Sequence, residues 1–119
     1  MQTVTVYHYS KCSTCREALK ALRSKGYQLE LIEIFDQPPN EKELAELISK
    51  SGLPAQKFMN TSGEVYKEMA LKDKVKTMSD VDKIKLMSAN GRLIKRPIVT
   101  DGSKVTVGFK EEIFNQTWS

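Results

Sequence analysis

VTVYHYSKCSTCREALKAL, residues 4–22, is the stretch from which the fold can be read. Val4, Val6, Tyr7 and Tyr9 are β-branched or aromatic, types that suit a pleated, half-buried surface, so the chain opens on a strand. Ser10 and Lys11 break it. From there Cys15, Ala18, Leu19 and Leu22 recur at helical spacing. Thr14 with Glu17 three residues on has the form of a capping box, which predicts a helix beginning near Cys15, and Gly26 supplies its stop. Two thiols, Cys12 and Cys15, therefore stand where a strand hands over to a helix N-terminus.

That position has chemical consequences. The first turn of a helix carries free N–H groups and the positive end of the dipole, and both favour an anion. A thiolate is such an anion, and a thiol whose pKa is lowered becomes a nucleophile at neutral pH. Cys12, at the loop end, is expected to be the exposed attacking sulfur. Cys15, in line with Leu19 and Leu22, is expected to face inward and resolve. The same helix start, with Ser13 and Thr14 in it and Lys11 and Arg16 flanking it, also suits an oxyanion substrate. A structural zinc site would need about four ligands, and the sequence holds two cysteines and one histidine, His8. A pair of inert buried cysteines has no reason to sit on a strand-to-helix turn. Redox or nucleophilic chemistry is the preferred reading, with no metal.

Composition narrows the setting. The 119 residues suffice for one domain with a genuine core, and 39% apolar with 29% charged residues is ordinary for a soluble globular protein. No apolar run approaches membrane-spanning length, and the N-terminus lacks the pattern of a signal peptide, so a cytoplasmic monomer is expected. In a reducing compartment two cysteines read as catalytic or redox-sensing. The net charge of +4 is mild and the lysines alternate with acids, which disfavours direct nucleic-acid binding.

Further along, residues 27–35 alternate as a second strand with Leu29, Leu31 and Ile34 inward, completing a βαβ unit with parallel pairing. After the break at 36–40, residues 41–51 form a helix with Leu44, Leu47 and Ile48 on one face, Asn40 and Glu43 as a capping box, and Gly52 as C-cap. One more turn at 55–59 carries Phe58 and Met59. Short helical pieces follow at 64–69 and 72–76, then a helix at 79–89 with Val81, Ile84, Leu86 and Met87 apolar. Met59, Met69, Met78 and Met87 track helix faces and read as core filler. Ile98–Thr100 and Val105–Val107 flank Asp101-Gly102-Ser103 as a hairpin. A last helix over 109–118 turns Phe109, Ile113 and Phe114 inward, with Trp118 as a packing anchor.

The order is βαβ, then about sixty helical residues, then ββα. The outer parts match an α/β, thioredoxin-like fold with a four-stranded mixed sheet: one domain over 1–119, with a βαβ half at 1–36, a helical insertion at 37–96 and a ββα half at 97–119. The middle is too long and too helical to be a loop. In such a fold Pro97, opening the third strand, is expected to be cis and to face the first cysteine, which sets Arg96 beside Cys12. An arginine's fixed fork of donors suits an oxyanion or a thiolate. His8 reads as a hydrogen-bonded strand residue rather than a tuner of the thiol. Residues Asn60 to Ser62 could reach the site from the insertion, though nothing in the local sequence shows it.

YSKCSTCREAL in the first strand and helix, NTSGEVYKEM in the insertion, and GRLIKRPIVTDG followed by VTVGFKEE span nearly the whole chain. With these the sequence closely resembles the glutaredoxin-like arsenate reductases, in the branch that includes the Spx/MgsR transcriptional regulators. The resemblance implies Cys12 as nucleophile, Arg96 as the arginine before the cis proline, and an external reductant, glutathione with glutaredoxin or thioredoxin, rather than a bound cofactor. Reductases of the family use one cysteine and place an arginine in the loop that here reads Asn60-Thr61-Ser62, and another near Lys104 to Lys110. This chain keeps Cys15, as the regulators do, and has no arginine between Arg23 and Arg92. Lysine lacks the bidentate fork, which argues against efficient arsenate turnover. The regulators bind the C-terminal domain of the RNA polymerase α subunit. Gly52 lies near a glycine of that contact, but a helix C-cap already accounts for it.

Two functions are thus expected to compete. One is a small thiol–disulfide oxidoreductase, acting on a disulfide or an oxyanion. The other is a redox-sensing adaptor whose Cys12–Cys15 disulfide changes its hold on polymerase. The first is preferred.

Overall fold

A computed structural model describes residues 2–61 and 63–118. Its elements run β1 (Thr3–His8), α1 (Ser13–Ser24), β2 (Gln28–Glu33), α2 (Glu41–Ser51), α3 (Glu64–Glu68), α4 (Leu71–Lys74), α5 (Asp80–Ala89), β3 (Ile98–Thr100), β4 (Val105–Val107) and α6 (Glu111–Thr117), with short 3₁₀ turns at Ala55–Phe58 and Gly91–Leu93. The four strands form one mixed sheet in the order β2-β1-β3-β4. β1 pairs parallel with β2, in register Val6 to Leu31, and antiparallel with β3, Val6 to Val99. β3 and β4 close as the expected hairpin. The architecture is the thioredoxin-like α/β fold.

Strand side chains alternate between the two faces of a sheet. Val4, Val6 and Val99 point to one face, where they meet Ala18, Leu19 and Leu22 of α1 and Phe114 and Trp118 at the C-terminus. Tyr7, Ile98 and Val105 point to the other, where they meet Leu44, Leu47, Phe58, Leu71, Met87 and other apolar residues of the middle segment. The helical segment is therefore the second layer of a three-layer molecule. Without it one face of the sheet would be bare. Trp118 is fully buried as the anchor the sequence suggests, and its indole N–H donates to the Thr106 hydroxyl at 3.1 Å.

Several apolar assignments differ. Leu31 is exposed because β2 is an edge strand; Val81, Ile113 and Met69 are exposed as well. In α5 the inward positions are Lys83 and Met87 rather than Val81, with Ile84 and Leu86 half-buried. The Lys83 stem lies buried while its ammonium stands 3.9 Å from Asp80. α6 is shorter than 109–118 and buries Phe114, not Ile113. No helix among the described residues is long and apolar enough to cross a membrane.

Candidate active site

α1 begins at Ser13, two residues earlier than the sequence suggests, and Cys12 is its N-cap residue. The Thr14–Glu17 box does not form: no side chain caps this helix. The helix starts too early for it: the Arg16 N–H already donates to the Cys12 carbonyl at 3.1 Å, so Thr14 stands inside the first turn. The N–H groups of Thr14 and Cys15 favour negative charge on Cys12. The helix start is thus left to hold a thiolate.

The two thiols are perturbed in opposite directions. For Cys12 the largest single influence is partial burial, which opposes the charge. The Cys15 N–H, the Cys15 thiol, the Arg96 guanidinium and the Thr14 N–H together outweigh it, and its pKa falls below the ordinary 9.0. Cys15 is fully buried, and desolvation pushes its thiol up to about 12, with its hydrogen bond to Cys12 and the Cys12 charge adding to the rise against Tyr9 and Arg96. Both cysteines are free thiols, Cys12 partly exposed.

Arg96 precedes a cis peptide bond to Pro97. It is held by rings rather than by a carboxylate: its guanidinium lies 4.9 Å from the Phe35 centroid and 5.5 Å from that of Tyr9, and these two rings stack at 4.3 Å. It forms no ion pair among the described residues, so its charge remains available to Cys12. Its Nε is buried with no hydrogen-bond partner.

Cys12, Thr14 and Arg96 share a cavity of about 470 Å³ with Asn60, Lys95 and Lys110. Asn60 and Lys95 arrive together because the chain there forms a small antiparallel ladder. The Asn60 N–H donates to the Leu93 carbonyl and the Lys95 N–H to the Phe58 carbonyl, each at 2.7 Å, around a Met59–Ile94 bridge. Lys95 then lies over Gly108: a Cβ on Gly108 would come within 2.9 Å of its Cε. Gly108 has φ +78° and donates its N–H to the Pro97 carbonyl at 2.8 Å.

Not every sequence-predicted residue joins this cavity. Pro97 is buried behind it, its carbonyl used by Gly108. Lys11, Ser13 and Arg16 are exposed and do not line it; the Arg16 Nε donates back to the Ser10 carbonyl at 3.2 Å. His8 is buried in β1 with its Nε2 3.9 Å from Glu33, and is not a lining residue. Within the Asn60–Ser62 loop, Asn60 reaches the cavity and Ser62 lies outside the described residues. Of the lysines from 104 to 110, Lys110 lines it, while Lys104 lies over the Trp118 ring. Lys95 and Glu64 are lining residues that the sequence did not single out. Adjacency to Arg96 was the only local signal for the first, and none existed for the second. Among the described residues no group of three or more His, Cys, Asp or Glu side chains is placed to hold a metal ion.

Comparison with known proteins gives the chain's family. The model of the ArsC family matches residues 7–117. The chain is 49% identical to the uncharacterized protein YusI of Bacillus subtilis (strain 168), over 98% of this chain and 99% of that protein. It is 33% identical to an arsenate reductase of Yersinia enterocolitica, over 83% of this chain and 69% of the relative. Among solved structures it resembles an ArsC family related protein from Bacteroides fragilis, with a TM-score of 0.91 and 42% identity over 95% of each chain. The family model spans the site and nearly the whole fold, so this chain belongs to the ArsC family, that of the thiol-dependent arsenate reductases.

Proposed function

We propose that the protein is a thiol–disulfide oxidoreductase in which Cys12 attacks and Cys15 resolves. The observation that carries this reading is the division of labour between the thiols: one partly exposed with its pKa lowered, the other fully buried and held protonated. The Cys12 thiolate attacks one sulfur of a substrate disulfide. A new S–S bond forms as the old one breaks, and the departing thiolate takes a proton from water. Mixed-disulfide formation removes the Cys12 charge, which is one cause of the high Cys15 pKa, while Arg96 stays to favour the Cys15 anion. Cys15 then loses its proton to solvent and attacks Cys12 Sγ, and the second substrate thiolate leaves. The protein gives up two electrons and the disulfide gains them. An external reductant, thioredoxin or glutathione with glutaredoxin, restores the dithiol.

A second reading is favoured by one observation: Lys95, Arg96 and Lys110 together make the Cys12 cavity cationic, which suits an oxyanion such as arsenate. Steady-state reductant consumption tests both. It is measured with a small disulfide and separately with arsenate, supplying thioredoxin or glutathione with glutaredoxin, and with Cys12→Ser as control. We expect turnover on the disulfide that falls to background in Cys12→Ser. Turnover on arsenate alone would favour the oxyanion reading. A single oxidation without turnover would make the protein a redox sensor, to be tested for polymerase binding in both redox states.

A further inference from the structure

A second cavity, of about 410 Å³, adjoins the first and shares Asn60, Gly63, Glu64 and Arg96 with it. Its charges differ in kind. The Cys12 cavity has three cations and one acid, Glu64; the second has Arg92 and Arg96 balanced by Glu64 and Glu68. None of these four forms an ion pair among the described residues. Arg92 and Arg96 lie over Phe35 at 4.7 and 4.9 Å from the ring centroid. Glu64 and Glu68 stand four residues apart on α3, so like charges share one face of a five-residue helix, an arrangement that weakens it. Two opposed sets of unpaired charges around one cavity, next to a nucleophilic sulfur, match a ligand that carries both signs. Arg92 and Arg96 offer forks of donors that suit a carboxylate, and the exposed Glu64 and Glu68 offer two anions that suit a cation.

We propose that Glu64 and Glu68 read an ammonium group on the substrate while Arg92 and Arg96 take its carboxylate, so that the site selects disulfides bearing an α-amino-acid group over bare anions. Glu64 and Glu68 are specificity residues in this scheme; they do not touch the reacting sulfurs. The inference rests on the thiol–disulfide reading above. The chemical step is unchanged: Cys12 sulfur bonds one substrate sulfur and the other leaves as a thiolate.

The test uses two disulfides that differ only by the ammonium group, L-cystine and 3,3′-dithiodipropionate. The rate at which each oxidises the reduced full-length protein is followed by intact mass after acid quench, in the wild type, Glu64→Gln, and Glu64→Gln/Glu68→Gln. Differences in intrinsic reactivity between the two compounds cancel when the ratio of their rates is compared across variants. The wild-type ratio of cystine to dithiodipropionate rates is expected to fall by about tenfold in the double variant and by less in the single one. An unchanged ratio in both variants overturns the inference and leaves the thiol–disulfide reading standing. Failure of both compounds to modify Cys12 in the wild type, with Cys12→Ser as reference, overturns the two together.

Discussion

Cys12 and Cys15 show how one turn of helix makes two chemically distinct groups from one residue type. At Cys12 the helix N–H groups and Arg96 overcome burial; at Cys15 burial wins. Alkylation of the reduced protein by iodoacetamide should therefore be selective for Cys12, with a midpoint below pH 9.0, while Cys15 stays unreactive until far higher pH. The Cys12 midpoint should rise in both Cys15→Ala and Arg96→Ala. The Cys15 thiol lowers it more than the Arg96 charge does, so Cys15→Ala should give the larger rise. Peptide mass mapping across pH checks both statements. The linkage to stability has opposite signs at the two residues. Between the folded Cys12 pKa and 9.0 the unfolded chain binds more protons, so the Cys12 contribution is present above that window and lost as pH falls through it. The Cys15 contribution is full below 9.0 and lost as pH climbs toward about 12. At this scale the placement of Cys12 at a helix start and of Arg96 before a cis proline was legible because strand, CxxC, helix and Arg-Pro lie in order along the chain. The absent threonine cap was not legible, since Thr14 and Glu17 keep the form of a capping box even where the helix has already begun at Ser13.

Among the elements, α2 is the one whose bounds, caps and two of three inward residues follow from its own residues. Asn40 accepts from the Glu43 N–H at 2.8 Å, the Glu43 side chain accepts from the Asn40 N–H at 3.2 Å, and Gly52 takes φ +73° as C-cap. All of these are contacts within a few residues. The turn at Gly91 is the opposite case. It ends α5 locally, yet its lack of a side chain matters because a Cβ there would land on the Ile34 carbonyl oxygen, fifty-seven residues away in the chain. Gly91→Ala should cost about 1–3 kcal/mol through overpacking, whereas Asn40→Ala should cost about 1 kcal/mol through a lost cap. Urea unfolding of both variants, followed by far-UV circular dichroism, measures the difference. Equal midpoints would mean that the backbone at Gly91 yields without strain. The misassigned apolar residues belong to this scale too. Leu31, Val81 and Ile113 sit on elements whose existence was readable but whose buried side depends on what packs against them.

For the molecule as a whole, the sheet divides two cores, and each is closed by a distant part of the chain. The α1 side is sealed by Phe114 and Trp118, with the indole set edge-on to Tyr27 at 6.1 Å. Trp118→Ala removes the largest side chain of that core and leaves Thr106 without its donor, and should destabilise the fold by roughly 3–5 kcal/mol. Set against a typical total of about 5–15 kcal/mol, that is a large share. Denaturant unfolding should show it as a lowered midpoint. An unchanged midpoint would mean that the C-terminal helix adds nothing to the core it covers. The other face is closed by the helical insertion, and that same packing brings Asn60, Lys95 and Glu64 to the cysteines.

What the sequence by itself determined is what local physics decides. Period and β-branching set the strands and helices, Asn40 and Gly52 set helix ends, and the order of strand and helix set where Cys12 and Cys15 stand. The tertiary structure alone decided which faces are buried, that the insertion supplies the second layer of the sheet, and that Lys95, Lys110 and the Glu64–Arg96 opposition surround the sulfur. Those features depend on contacts between residues tens of positions apart, and the energy of such contacts is not written in the spacing of either partner.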